Sequence, residues 1–212
     1  MRDGDTRDVR RVYDRIASHF SQTREFPWSE IRTFLEGKSG RVGVDLGCGN
    51  GRHLSLLASV VDTPVGVDVS RGILAEATTR RRERGFEADL LQGSVTHVPI
   101  RADLVDVGLY IATLHHLRSE AERIRSLDEL SRILAPDGIG LVSVWSVDHD
   151  RFDRESAFDT EIDWTLPSGE TIPRFYHIYD RMAFEDELET SGLEIVDSFV
   201  SSGNCFATVV PE

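Results

Sequence analysis

Val42-Gly-Val-Asp-Leu-Gly-Cys-Gly-Asn-Gly51 is the stretch from which the rest of the chain can be read. Its apolar, β-branched opening has the pattern of a buried strand. The run breaks at Gly47, Gly49 and Gly51, and a helix-compatible segment, Arg52 to Ser59, follows at once. Strand, glycine turn and helix in that order present a backbone floor to a nucleotide at the carboxyl edge of an α/β sheet. Glycine suits such a floor because a Cβ would block the ligand or forbid the positive φ of the turn. The spacing also excludes two readings. A dinucleotide fingerprint needs a small residue at position 52, which is Arg52, and a P-loop needs Gly-Lys-Ser/Thr, whereas the only lysine is Lys38.

What remains is D-x-G-x-G-x-G, with Asp45 two residues before the first glycine. It resembles motif I of the class I S-adenosylmethionine-dependent methyltransferases. The resemblance implies that Asp45 lies near the cofactor's aminoacyl end and that Gly47, Cys48, Gly49 and Gly51 form the floor beneath it. A second strand, Pro64-Val-Gly-Val-Asp68, ends in an acid placed to accept hydrogen bonds from ribose hydroxyls, with Val69 beside it. Asp68 or Ser70 could also cap the helix that follows, which runs to about Arg84. Strand three, Phe86 to Gln92, leads to Gly93-Ser94. Relatives usually carry an acid after that glycine to meet the adenine amino group, and Ser94 stands in its place here.

Around this core the pattern alternates strands and helices. An amphipathic helix from Asp8 to Phe20 is followed by a second opened by Trp28. Strand four spans Asp106 to Ala112, with Ile111 near its end, and runs into Thr113-Leu-His-His-Leu117. A helix from Ser119 to Leu134, a Pro136-Asp-Gly138 turn and strand five, Ile139 to Trp145, come next. Ser146 to Pro173 is a polar stretch too irregular for the sheet and long enough to be a functional insertion. Asp180 caps a helix to Ser191 with Gly192 as its terminal glycine, and Ile195–Ser201 with Cys205–Val210 form a closing hairpin. The expected architecture is α/β, a doubly wound seven-stranded mixed sheet in one domain. Within it, 1–37 form a helical lid and substrate segment, 38–145 the cofactor core, 146–179 a substrate insertion and 180–212 the closing helix and hairpin.

Composition sets the partners. The 212 residues carry a formal charge of −13, and their basic residues are nearly all arginine. Acidic excess with one lysine is the pattern of a surface adapted to high salt, where self-repulsion is screened. It also argues against general nucleic-acid affinity, so an RNA substrate must meet a local arginine patch or a partner. Cys48 and Cys205 are far apart with no C-x-x-C, which points to reduced thiols in a cytoplasmic protein and to no metal site in the chain. No apolar run is long enough to span a membrane, and the amino terminus has no secretory core.

Separated segments add a closer resemblance. His19-Phe-Ser-Gln-Thr-Arg24 with Pro27-Trp28, the His115-His116 pair, Trp145, and Phe175-Tyr-His-Ile-Tyr179 are similar to landmarks of the methyltransferases that esterify the carboxymethyl group on C5 of the wobble uridine of tRNA. That family implies S-adenosylmethionine as donor, S-adenosylhomocysteine as product, a tRNA substrate, and a heterodimer with a small zinc-ribbon activator on the apolar edge around strand three. A carboxylate is already nucleophilic at neutral pH, so such a site needs orientation more than a base. Arg24 supplies a planar fork for it. His116 and His177 are donors to carboxylate or uracil, Trp145 and Tyr176 are faces for the base, and Arg174 suits a phosphate. Ser21 and Gln22 complete the substrate set. His115 is assigned to the strand-four turn and the cofactor adenine. Each assignment has a plainer counterpart: Arg24 in a surface ion pair, Trp145 in the core, Tyr176 and His177 pinning the insertion, and Arg80-Arg-Arg82 with Arg84 as a solvated helix face. At the level of the whole protein, a small-molecule methyltransferase acting on a quinone precursor or carboxylic acid, and an inactive cofactor-binding subunit, stay open.

Overall fold

The strand read at Val42 is Gly40–Leu46 (β1), and every residue from Val42 to Leu46 is buried. Strands buried on both faces belong in the middle of a parallel sheet. In the computed structural model, which describes residues 4–212, β1 lies between Val61–Asp68 (β2) and Val105–Ile111 (β4), parallel to both. Asp89–Gln92 (β3) flanks β2, and Leu134–Trp145 (β5) flanks β4. Leu193–Ser201 (β8) and Asn204–Pro211 (β9) close the sheet as an antiparallel hairpin, giving the order β3-β2-β1-β4-β5-β9-β8. This is the expected seven-stranded mixed sheet.

Helices cover both faces because each strand connection must cross over the sheet. Gly4–Thr23 (α1), Ser29–Leu35 (α2) and Leu54–Leu57 (α3) precede Arg71–Arg84 (α4), which Ser70 caps through Ile73 N–H and Gly85 ends at φ 68°. Glu120–Ile133 (α5) and Arg181–Thr190 (α6) carry Ser119 and Asp180 as side-chain caps. One core centres on Val44, Leu46, Tyr110, Leu127 and Val142, and a second on Ile31, Leu54, Leu109, Leu141 and Phe206.

Four expectations change. The helix after the glycine turn is only Leu54–Leu57, since β2 begins at Val61 and leaves no room for two turns. Pro136-Asp-Gly138 lies within β5, where the register with β4 shifts instead of the strand ending. Gly192 is not a left-handed terminator; Ser191 closes α6 in an extended conformation. Most consequentially, the stretch 146–179 holds a regular hairpin, Phe158–Thr165 (β6) with Thr171–Ile178 (β7), which stands apart from the main sheet. Its inward faces alternate: Ile162 and Trp164 on β6, Ile172, Arg174, Tyr176 and Ile178 on β7.

α1 is tied across the top of the sheet. The Asp14 carboxylate accepts from Ser70 Oγ at 2.7 Å and from Gly72 N at 2.9 Å, joining α1 to the start of α4. Arg15 pairs with Glu170 in the β6–β7 turn. Trp164 Nε1 donates to His19 Nδ1 at 3.1 Å. Helix and hairpin together roof the carboxyl edge of β1, β4 and β5.

Candidate active site

Under that roof lies one cavity of about 510 Å³. On its floor, Gly47 has φ 68°, and a Cβ there would fall 2.2 Å from Thr113 Oγ1. At Gly49, φ 56°, a Cβ would stand in the cavity itself, with only Phe20 within 4 Å. Asp68 braces the turn: its carboxylate accepts from Gly49 N at 3.0 Å and Ser70 N at 2.9 Å. Burial pushes its pKa up to about 6 against the pull of those N–H groups. Cys48, Val69, Gly93, Ser94 and Ile111 line the same side. Burial, with Asp68 and Asp45 nearby, drives the Cys48 thiol well above its ordinary range, so it is an inert wall.

Asp45 and Gly51 do not line the cavity. Gly51 completes the turn at φ 73° behind it. Asp45 is 1% exposed at the end of β1, and its Oδ2 has no hydrogen-bond partner among the described residues. Burial raises its pKa to about 8 although Arg52 pulls the other way.

The opposite wall is cationic and aromatic. The Arg24 guanidinium stands 5.5 Å from the Trp164 ring and 5.7 Å from Phe20. Arg174, 7% exposed, stands 4.8 Å from Trp164 and 5.1 Å from Tyr176, and its Nε lacks a partner. Among the described residues neither arginine has a carboxylate within ion-pair distance, and both line the cavity. Tyr176 stacks on Trp145 at 4.9 Å and 19°. The Arg24 backbone is held from two sides: its carbonyl accepts from Asn50 Nδ2 at 3.0 Å and from Arg80 Nη2 at 3.1 Å. Arg84 also pairs with Glu25 at 2.6 Å. Arg80 and Arg84 therefore fasten the Arg24 segment to α4, while Arg82 and Arg84 remain exposed on the helix face.

The histidines separate into three roles. His115 is buried at the turn after β4, and its Nδ1 accepts from Trp145 N at 3.1 Å, which pins the end of β5. Burial and neighbouring cationic groups hold it neutral. His116 lines the cavity, but both ring nitrogens are engaged. Nδ1 donates to Phe175 O at 3.0 Å, which leaves Nε2 to accept from Tyr13 Oη at 2.8 Å. Burial lowers its pKa to about 4, so it is a tether between α1 and β7 and not a free donor. His177 is outside the cavity. Adjacent strand residues face opposite ways, so Tyr176 turns in and His177 turns out, to Asp159 at 2.6 Å. Ser21 and Gln22 also miss the cavity: Ser21 receives Asn50 Nδ2, and Gln22 is exposed on α1.

The cavity further gathers Trp28, quoted among the landmark segments but given no role, and Tyr13, Asn50, His53, His149 and Asn204, which were assigned to no site. Trp164, beside both arginines, was missed within the stretch read as irregular, and the alternation Phe158-Asp-Thr-Glu-Ile-Asp-Trp164 is the signal that marks it. For Asn50, His53 and Asn204 the sequence carried no periodic signal.

The comparisons with known proteins fall on this geometry. The profile of the methyltransferase domain matches residues 44–142, the stretch from β1 through most of β5. A protein of Encephalitozoon cuniculi named only as a methyltransferase is 31% identical over 96% of this chain and 95% of its own. The chain belongs to the class I methyltransferases. The methyltransferase is also 36% identical, over 67% of its length, to the tRNA (carboxymethyluridine(34)-5-O)-methyltransferase of Arabidopsis thaliana, of which it spans 33%. It therefore spans a third or less of the first such relatives. The Schizosaccharomyces pombe protein of that name matches at 28% identity over 89% of this chain and 90% of its own. In fold, the methyltransferase superposes on the DhpI structure solved with SAH, with TM-score 0.77 at 17% identity over 100% and 98% of the two chains. It also superposes on a methyltransferase of Haloferax volcanii in complex with the Trm112 activator, with TM-score 0.69 at 15% identity over 96% and 97%.

The residues present fit S-adenosylmethionine, the methyl donor of this class. The Asp68 carboxylate at the end of β2 suits a ribose, and a side chain at Gly49 would occupy the donor's place, while the unpartnered Asp45 oxygen lies behind the glycine turn and outside the cavity. When bound, the donor supplies a methyl group on a positively charged sulfur.

Proposed function

We propose that this methyltransferase esterifies the carboxymethyl group on C5 of the wobble uridine, position 34, of tRNA. The observation that carries the reading is the pair Arg24 and Arg174, two guanidinium groups on the cavity wall opposite the donor turn, neither paired with a carboxylate. Arg174 is buried, the half-buried Arg24 guanidinium donates only to Thr23 among the described residues, and a buried cation without a counterion is costly unless an anion completes it. A carboxylate acceptor does so and needs no proton removed. The cavity's own bases agree with that demand, since burial keeps His115 and His116 neutral, both nitrogens of His116 are engaged in the protein, and His115 Nδ1 accepts from Trp145 N. Arg24 and Arg174 hold the acceptor carboxylate, Trp145 and Tyr176 form the aromatic wall for its base, and Asp68 and the glycine turn hold the donor. Orientation of the acceptor oxygen against the donor methyl is the protein's contribution to rate. Full-length similarity to the Schizosaccharomyces pombe enzyme of this name supports the assignment.

The same reading extends to a partner. β3 is the edge of the sheet, and its Leu90 and Leu91 are only half-buried. An apolar edge strand calls for cover, and we propose that a small zinc-ribbon activator supplies it; the Haloferax volcanii neighbour is likewise in complex with a methyltransferase activator. We place the heterodimer in the cytoplasm of a cell with high internal salt, consistent with a charge of −13 and one lysine. Among the described residues no helix is long and apolar enough to cross a membrane.

Mass spectrometry of tRNA nucleosides from a deletion strain tests the reaction: free 5-carboxymethyluridine accumulates and its methyl ester disappears. Unchanged methyl ester overturns it. Co-purification of a small zinc protein at high salt tests the partner, and solubility that does not respond to KCl counts against the salt adaptation.

A further inference from the structure

Asn204 begins β9 directly opposite Trp145 of β5 in the antiparallel register. Directly opposed residues of such a pair share a face of the sheet, and both of these line the cavity. Ser202 and Gly203, with φ 51° and 72°, fold the chain back so that Asn204 Nδ2 donates to the Ser202 carbonyl at 3.0 Å. Exchanging the amide's ends would set two carbonyl oxygens face to face, so the orientation is decided. Asn204 Oδ1 is then an acceptor with no partner among the described residues, in a side chain only 6% exposed. Buried polar atoms in native proteins find partners, and an unpartnered one on a binding cavity is the mark of a ligand contact.

We propose that Asn204 determines base specificity, its Oδ1 accepting the N3–H of the acceptor uracil as that base lies beside Trp145. The inference rests on the functional reading above and names the group that recognises its base. Uracil carries a proton on N3. Cytosine carries a lone pair there, which would face the Oδ1 lone pairs and leave both acceptors desolvated and unpaired. A site built to bond a group rejects the analogue that lacks it far more strongly than shape alone does. Because one Nδ2–H is held by the Ser202 carbonyl, turning the amide over to offer cytosine a donor would set Oδ1 against that carbonyl.

The test uses anticodon stem-loop RNAs carrying 5-carboxymethyluridine or its N3-methyl derivative at position 34, with the full chain and any activator it requires. For the wild type, N3-methylation is expected to lower kcat/KM about tenfold or more, the scale of one buried hydrogen bond to an unpaired partner. Asn204→Ala should lose a similar factor on the unmodified RNA and almost nothing further on the N3-methyl RNA. Asn204→Ser keeps a polar group in the turn without its reach; it is predicted to match the alanine variant and replaces it if that variant does not fold. Unchanged affinity for S-adenosylhomocysteine reports an intact donor site in each. An N3-methyl penalty equal in wild type and variants overturns the role of Asn204 and leaves the reaction standing. No transfer to either RNA by a wild type that binds S-adenosylhomocysteine overturns the functional reading and this inference with it.

Discussion

The Tyr13 hydroxyl donates to His116 Nε2 at 2.8 Å, and this bond decides what the second histidine of the pair does. With Nδ1 given to the Phe175 carbonyl, His116 joins α1 to β7 across the cavity and has no nitrogen left for a substrate. Tyr13→Phe removes the hydroxyl and strands a buried imidazole nitrogen. We expect a loss of about 1–3 kcal/mol of stability in denaturant titration. For a chain of this size that is a fall of roughly 2–4 °C in Tm per kcal/mol. An unchanged midpoint would count against the tether.

Arg174 and His177 are three residues apart on β7 and face opposite ways. Arg174→Met is expected to lower kcat/KM for a 5-carboxymethyluridine RNA by roughly tenfold to a hundredfold, the scale of lost charge-assisted hydrogen bonds. His177→Gln should stay within about fivefold, because its partner Asp159 is 59% exposed and such pairs are worth about 1 kcal/mol or less. Steady-state kinetics of the two variants side by side decide the matter; a larger effect at His177 would place it at the substrate.

Two buried carboxyls give the donor site a pH dependence. An acid whose folded pKa lies above its unfolded value holds its proton more tightly when folded. Its folding stability is therefore greatest below both values and falls as pH rises through the folded one. The window is 3.8 to about 6 for Asp68 and 3.8 to about 8 for Asp45. Donor binding runs the other way, because it uses the charged form of Asp68. Calorimetry should show S-adenosylhomocysteine affinity dropping as pH falls through about 6, and Asp68→Asn should flatten that slope. Asp45→Asn should stabilise the ligand-free protein by about 1–3 kcal/mol at pH 9, where the wild-type carboxylate is charged and Oδ2 unpartnered.

Away from the cavity, Arg123 and Glu187 form a buried pair between α5 and α6, with Nη2 to Oε1 at 2.7 Å and Tyr179 Oη to Oε2 at 2.7 Å. Glu187→Ala leaves Arg123 charged in the core and is expected to cost about 3–5 kcal/mol in urea unfolding. Arg123→Met with Glu187→Leu should cost less than the single change, and neither should alter KM for the donor.

The cofactor half was legible because its requirements are local. Asp45, the three glycines and Asp68 lie on two short segments, and a parallel strand ending in a glycine turn can meet a ligand only at its carboxyl edge. The helices were legible from their periodicity and caps, such as Ser70, Ser119 and Asp180. The acceptor half was legible only as a set of residue types. Arg24, Trp145, Arg174 and Tyr176 were marked and do meet on one wall, but His177, Ser21 and Gln22 were marked with them and face elsewhere. Side-chain direction on β7 depends on a hairpin register that the polar stretch 146–173 concealed.

By itself, then, the sequence determined the sheet, its helices and the donor floor, because the strand, turn and capping rules act over a few residues and their signals are written contiguously. Only the tertiary structure decided that His116 is a tether, that the arginines of α4 hold Arg24 in place, and that Asn204 stands beside Trp145 with an unpartnered oxygen. Those outcomes depend on which groups meet across 56 to 103 residues of chain, and on which hydrogen bonds the meeting leaves unmade.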